Sequence, residues 1–199
     1  MTAARDDDFM ALPGMEADST DTRHGRERLS DEAAPTSSNT SPNASSKSAL
    51  EALLDEYRAR AKSEREKGTL FEELTRQFLL HDARFAHQFK EIYLWSEWPE
   101  RRTGDTGIDL VAIPVDEHAG PVAIQCKFYA LGHRIQKADI DSFLSASGKE
   151  PFGRRIVVDT SGAPWGKNAQ DAIEGQQIPV SRITLADLRD SDIDWRTYS

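Results

Sequence analysis

The sequence predicts an α/β fold in which helices flank a mixed central sheet. Helical and extended patterns alternate along the chain as helix–helix–β–β–β–helix–β–helix–β, an order expected of mixed sheets. Two of the extended segments, GIDLVAIPV and AIQCKFYA, are apolar on both faces, as central strands covered by helices are. A polar loop ending in glycine, Asp116 to Gly120, joins those two as a hairpin.

The elements follow in order. SALEALLDEYRARAKSEREKG places Leu50, Leu53, Leu54, Tyr57 and Ala61 at helical spacing, so a helix is expected from Ser48 until Gly68 stops it. TLFEELTRQFLL sets Phe71, Leu74, Phe78 and Leu79 on one helical face. Strands are expected at 91–98, 107–115 and 121–130, then a helix at 136–148 carrying Ile140, Phe143 and Leu144. A strand at 154–160, a helix near 166–174, a strand at 178–183 and the helical turn TLADLRD complete the domain.

Composition separates this domain from what precedes it. The chain has 199 residues, 38% of them hydrophobic, with 34 Asp/Glu against 25 Lys/Arg and a net charge of −9. Residues 1–47 are rich in Ser, Thr, Asn, Pro and Ala and hold too few apolar groups to offset the entropy of ordering, so they are expected to be a disordered tail or linker. Residues 48–199 then form the folded domain. No apolar run approaches the roughly 20 residues of a membrane span, and the acidic N-terminus is no signal peptide. One cysteine, Cys126, excludes an intrachain disulfide and a thiolate metal cluster. The cytoplasm is the expected location.

Polar residues in a central pair of strands need a reason, and Asp109, Gln125 and Lys127 stand out. Side chains alternate along a strand, so Gln125 and Lys127 share one face while Cys126 points to the other. A hairpin symmetric about His118 would set Asp109 opposite Lys127 and Val111 opposite Gln125. One outcome is a buried Asp109–Lys127 ion pair with Gln125 as a bonded neighbour. The other is a reactive site. Asp109 lies in GDTGIDL, whose two glycines allow close backbone approach, and Arg101 and Arg102 precede it, placed to meet phosphate. Glu72 sits beside Phe71 on an inward-facing helix. Carboxylates from a helix and a strand, with an amide and a lysine, suit a hard divalent ion with oxygen ligands.

Phe71-Glu72, then Gly104-Asp-Thr-Gly-Ile-Asp109, then Gln125-Cys126-Lys127 resembles the PD-(D/E)xK nuclease superfamily in its Mrr-like branch. The segments DIDSFLSASGKEPFGRRIVVDT, NAQDAIEGQQIPVSRI and DLRDSDIDW resemble the nuclease domain that precedes a helicase in large restriction proteins, Type ISP enzymes among them. The likeness runs from about residue 50 to 199 and implies a restriction-endonuclease-like fold and Mg²⁺-dependent hydrolysis of DNA. It implies that Asp109 and Gln125 bind Mg²⁺, with the Cys126 carbonyl as a further ligand and Glu72 completing the site. Lys127 would position the attacking water and offset charge on the phosphorane. The pattern departs from the family at Gln125, where Asp or Glu is more usual; a neutral amide lightens the negative charge of the metal cage. A helicase or methyltransferase partner, or a helicase region beyond this sequence, is implied as well.

Outside the motif, Arg134 and Lys137 mark an expected DNA-binding edge at the helix after Lys127, with Arg101 and Arg102 on the other side. Arg154, Arg155 and Lys167 extend that set of expected phosphate contacts. Tyr129, His133 and Gln136 read equally as DNA contacts or as surface, and Asp105 as a site residue or a turn cap. Trp95 and Trp98 are expected to pack the sheet. GAPWGKN has the wrong glycine spacing for a phosphate loop, and the histidines lack zinc spacing. Three functions stay open: a Mg²⁺-dependent endonuclease, a nuclease-like module without catalysis that binds DNA or protein, and an unrelated α/β fold with a buried ion pair.

Overall fold

A computed structural model describes residues 42–101, 104 and 106–198, with side chains from Ala49 onward. The expected disordered tail falls outside the described residues up to position 41. Helix α1 spans Pro42–Arg60 and so begins before Ser48, where order was expected. Proline with its fixed φ is well suited to a first helical position.

Helix α2 spans Glu64–His81, so Gly68 lies inside it and does not end α1. The break comes at Ser63, whose side chain caps the new helix by accepting from Glu66 N at 3.1 Å, while Glu66 reaches back to Lys62 N at 2.8 Å. These reciprocal bonds satisfy donors that a helix start leaves open. Leu50, Leu53 and Leu54 of α1 pack with Phe71, Leu74, Phe78 and Leu79 of α2, as their spacing predicts.

The sheet has five strands in sequence order: β1 (Phe89–Leu94), β2 (Leu110–Pro114), β3 (Val122–Lys127), β4 (Arg154–Asp159) and β5 (Val180–Ile183). β1, β2 and β3 pair antiparallel; β3, β4 and β5 pair parallel. Helices α3 (Lys137–Ser147) and α4 (Lys167–Ile173) make the crossovers, and α5 (Leu185–Arg189) precedes a closing 3-10 turn at Trp195–Tyr198. The mixed α/β architecture is the expected one.

β1 ends at Leu94, short of the expected Trp98, because a turn in which Trp98 N bonds Leu94 O carries the chain off the sheet. Trp98 then packs with Ile108, Val111 and Phe152. Alternation along the central strands feeds two cores. Leu110, Ala112, Ile124, Ile156 and Val158 face α1 and α2, whereas Val111, Ala123 and Val157 face α3 and α4.

The hairpin register differs from the symmetric expectation. Leu110 pairs with Ile124 and Val111 with Ala123, so the ladder is displaced by two positions and Asp109 does not pair with Lys127. The turn closes between Asp116 and Ala119, with Ala119 N donating to Asp116 O at 3.1 Å and Asp116 Oδ1 taking His118 N at 2.9 Å. That moves its centre ahead of His118. A shift of two preserves every face assignment.

Candidate active site

Asp109 immediately precedes β2 and is held from three sides. Its carbonyl accepts from Trp95 N at 2.7 Å, its N–H donates to Ile124 O at 2.9 Å, and its carboxylate Oδ2 accepts from the backbone N–H of Cys126 at 2.6 Å. Because Leu110 already faces Ile124, the bond from Asp109 N to the same residue takes Asp109 one step off the ladder. The carboxylate thus reaches across to the β3 backbone between Gln125 and Lys127.

Gln125 is buried on the α3 face. Its Nε2 donates to Gly107 O at 3.0 Å, which fixes the amide plane and leaves Oε1 as the remaining polar atom. Among the described residues that oxygen is buried without a hydrogen-bond partner. An orphaned buried acceptor is costly. Gly107 makes this approach possible: its φ of +75° is left-handed, and a Cβ there would come within 3.2 Å of Gln125 Nε2 and 2.7 Å of Ser142 Oγ.

Lys127 is half-buried at the last position of β3. Glu72 lies on α2, one residue beyond Phe71, whose ring stacks on Phe128 with centroids 5.0 Å apart. The Cys126 thiol registers the surrounding charges. Burial pushes its pKa well up, the carboxylates of Asp109 and Glu72 raise it further, and the Lys127 ammonium opposes them. Asp109, Glu72 and Lys127 thus lie within electrostatic reach of Cys126 near the end of β3, where Gln125 precedes it on the α3 face.

The Asp109 and Glu72 carboxylates and the buried amide oxygen of Gln125 are oxygen donors of the kind a hard divalent cation takes, whereas the Lys127 ammonium has no lone pair to offer one. Among the described residues no group of three His, Cys, Asp or Glu could hold a metal ion. The fit depends on the Gln125 oxygen as well as the acids.

The expected DNA-binding residues divide. Arg134 is exposed on the connection from β3 to α3, and Lys137 opens α3 paired with Asp141 at 2.5 Å. Arg101 is exposed beyond β1, while Arg102 and Asp105 lie outside the described residues. Arg155 is no phosphate contact: it is fully buried, bonded to oxygens of Leu144, Gln176 and Ile178. Arg154 begins β4, at the end of the sheet away from Lys127, and bonds Gln88. Sequence spacing does not single out a cleft of about 470 Å³ between α1 and α2, lined by Arg58, Lys62 and Lys67 together with Glu64, which pairs with Lys67. The Arg58 guanidinium lies 4.6 Å over the Phe128 ring, next to Lys127. Helix packing brings Arg58 over the ring that follows Lys127.

The chain belongs to the restriction endonuclease family Mrr_cat_2, whose model matches residues 80–199. Among solved structures, the ATP-dependent Type ISP restriction-modification enzyme LlaBIII bound to DNA is similar, with 32% identity, 73% of this chain covered and a TM-score of 0.60. The match spans 9% of that enzyme's length. The MspJI restriction endonuclease in complex with a 27-mer oligonucleotide shows 18% identity over 81% of this chain and 34% of that one, with a TM-score of 0.46. The DNA modification-dependent restriction endonuclease AspBHI shows 17% identity over 83% and 42%, with a TM-score of 0.47. No curated protein matches. No helix among the described residues is long and apolar enough to cross a membrane.

Proposed function

We propose that this domain is a Mg²⁺-dependent DNA endonuclease of a cytoplasmic restriction system, hydrolysing phosphodiester bonds at the end of β3. The observation that carries this reading is the orphaned, buried Gln125 Oε1, its amide fixed by the Gly107 bond one residue before Cys126, whose N–H holds the Asp109 carboxylate. Asp109 and Gln125 would hold the ion, with the Cys126 carbonyl and Glu72 completing its surroundings. When bound, the ion polarises the phosphoryl oxygen and lowers the pKa of water.

The chain's own residues supply the rest. The Cys126 N–H and the two backbone bonds keep Asp109 from rotating away. Lys127 Nζ holds the attacking water by hydrogen bonding and offsets charge on the phosphoryl oxygens. Arg101, Arg102, Arg134 and Lys137, with Arg58 and Lys62 on the helical side, position the DNA backbone. A net charge of −9 limits non-specific grip by this chain alone. A helicase- or methyltransferase-containing partner, of the kind suggested by the ATP-dependent Type ISP neighbour, would supply it.

The neutral side chain at position 125 favours a second reading, a module that binds DNA or protein without cutting. A plasmid-nicking assay with and without Mg²⁺, alongside melting curves, decides. The nuclease reading expects Mg²⁺-dependent nicking by the parent and none by a Lys127→Ala protein that still folds. No nicking under any condition and no Mg²⁺-dependent melting shift would leave the binding module.

A further inference from the structure

The connection from β3 to α3 is pinned almost residue by residue. Tyr129 O accepts from Thr160 Oγ1 at 2.6 Å, Gly132 N donates to Ser161 O at 2.8 Å, and Ile135 O accepts from Gly166 N at 2.8 Å. Within it, His133 N donates to Ala130 O at 3.1 Å, closing a four-residue turn. Gly132 takes a φ of +82°, the left-handed value a type II turn requires at its third residue. The His133 ring packs at a tilt against Tyr129, with centroids 4.0 Å apart.

This hydrogen-bonded turn holds Leu131 at its tip, 66% exposed. Val115 is the other exposed large apolar residue among those described, and it follows β2 at the opposite end of the sheet. A lone exposed leucine is ordinary on a protein surface; what sets this one apart is its surroundings. Here the backbone is hydrogen-bonded to the segment after β4, the neighbours Arg134 and Lys137 are exposed and cationic, and β3 ends four residues earlier. Four residues span at most about 14 Å, or about four nucleotide steps of DNA at 3.4 Å each.

We propose that the Ala130–His133 turn is a groove-contacting wedge for duplex DNA, with Leu131 packing against bases or sugars near the scissile bond while Arg134 meets the backbone. The inference rests on the nuclease reading above and adds a positioning residue to it. Apolar wedges are used in this way on DNA grooves, where phosphate contacts alone would leave the strand free to slide. A tip rigid before binding loses little entropy on contact.

The test measures binding of a fluorescently labelled duplex at several salt concentrations, using the full chain with Lys127→Ala to suppress cleavage. Adding Leu131→Ser is expected to weaken binding roughly tenfold, the loss expected for apolar burial at one leucine, with an unchanged salt slope. Leu131→Met should bind like the parent. Arg134→Ala should weaken binding and reduce the salt slope by about one. A folded Leu131→Ser protein that binds within twofold of its parent, or that loses salt slope, overturns the wedge alone. A parent that binds no duplex even at the lowest salt overturns the wedge, and absence of Mg²⁺-dependent nicking by the chain with Lys127 intact overturns the nuclease reading as well.

Discussion

Gln125 and Gly107 share a hydrogen bond, 3.0 Å from Nε2 to the carbonyl, that sets the direction of the Gln125 oxygen. Replacing the amide with a carboxylate would put two acceptors against each other and add a buried negative charge. Without metal, Gln125→Glu is expected to lose about 2–3 kcal/mol of stability at neutral pH. Mg²⁺ should restore much of it, because the ion takes up both carboxylates. Thermal melts in chelator and in Mg²⁺ check this. A variant that Mg²⁺ shifts no further than the parent would show that position 125 is no ligand.

Beyond Lys127, the loop after β4 depends on a separate electrostatic anchor. Asp159 is fully buried and receives Arg182 at two points, Nε at 2.6 Å and Nη2 at 3.0 Å, together with the Ser161 hydroxyl at 2.5 Å. Arg182→Ala would leave that carboxylate in the interior without its cation, at a cost of about 3–5 kcal/mol. Asp159→Asn in the same background should recover part of the loss. Urea unfolding of the two proteins measures both steps.

Tyr129 gives the turn a pH signature. Burial first, then the neighbouring Asp139 carboxylate, raises the phenol's pKa from 10.0 to about 12. The folded state holds this proton more tightly than the unfolded chain. The stabilisation is complete below pH 10 and is lost as pH rises toward about 12. Tyr129→Phe keeps the ring against His133 but removes the bond to Asp139 Oδ1. The parent's advantage over this variant should therefore be constant below pH 10 and shrink above it, as read from denaturant midpoints across that range. An advantage that grows in alkali would contradict the assignment.

How much was legible depended on whether the cause was local. Phe71, Leu74, Phe78 and Leu79 announce their helix by spacing, and the two apolar central strands announce helices on both sides. Asp109, Gln125 and Lys127 stand out because apolar strands leave them no other explanation. The Ser63–Glu66 capping exchange, which absorbs Gly68 into α2, could have been read from the sequence SERE. The hairpin register could not, because the Asp116 side chain and the Asp116–Ala119 closure set it. Arg155 resembles any surface arginine until β4 is seen to place it inside. Arg58 comes over Phe128 only through helix packing, and Leu131 gains its meaning only from a turn fixed by Ser161.

Asp109 has two duties that separate on mutation. Its negative charge would attract the ion, while its Oδ2 accepts the Cys126 N–H at 2.6 Å. Removing the charge relieves repulsion with Glu72, which favours the metal-free fold. Removing the acceptor leaves the Cys126 N–H without that partner, at a cost of about 1–3 kcal/mol. In Asp109→Ala the second effect should win, so the metal-free protein is less stable than the parent. Asp109→Asn keeps an oxygen for Cys126 while losing the charge, and should melt within about 1 kcal/mol of the parent. Both variants should lose the Mg²⁺-dependent melting shift and the nicking activity. Calorimetry in chelator and in Mg²⁺ reads the two duties separately. An Asn variant as unstable as the Ala variant would show that the charge, not the acceptor, holds the end of β3 in place.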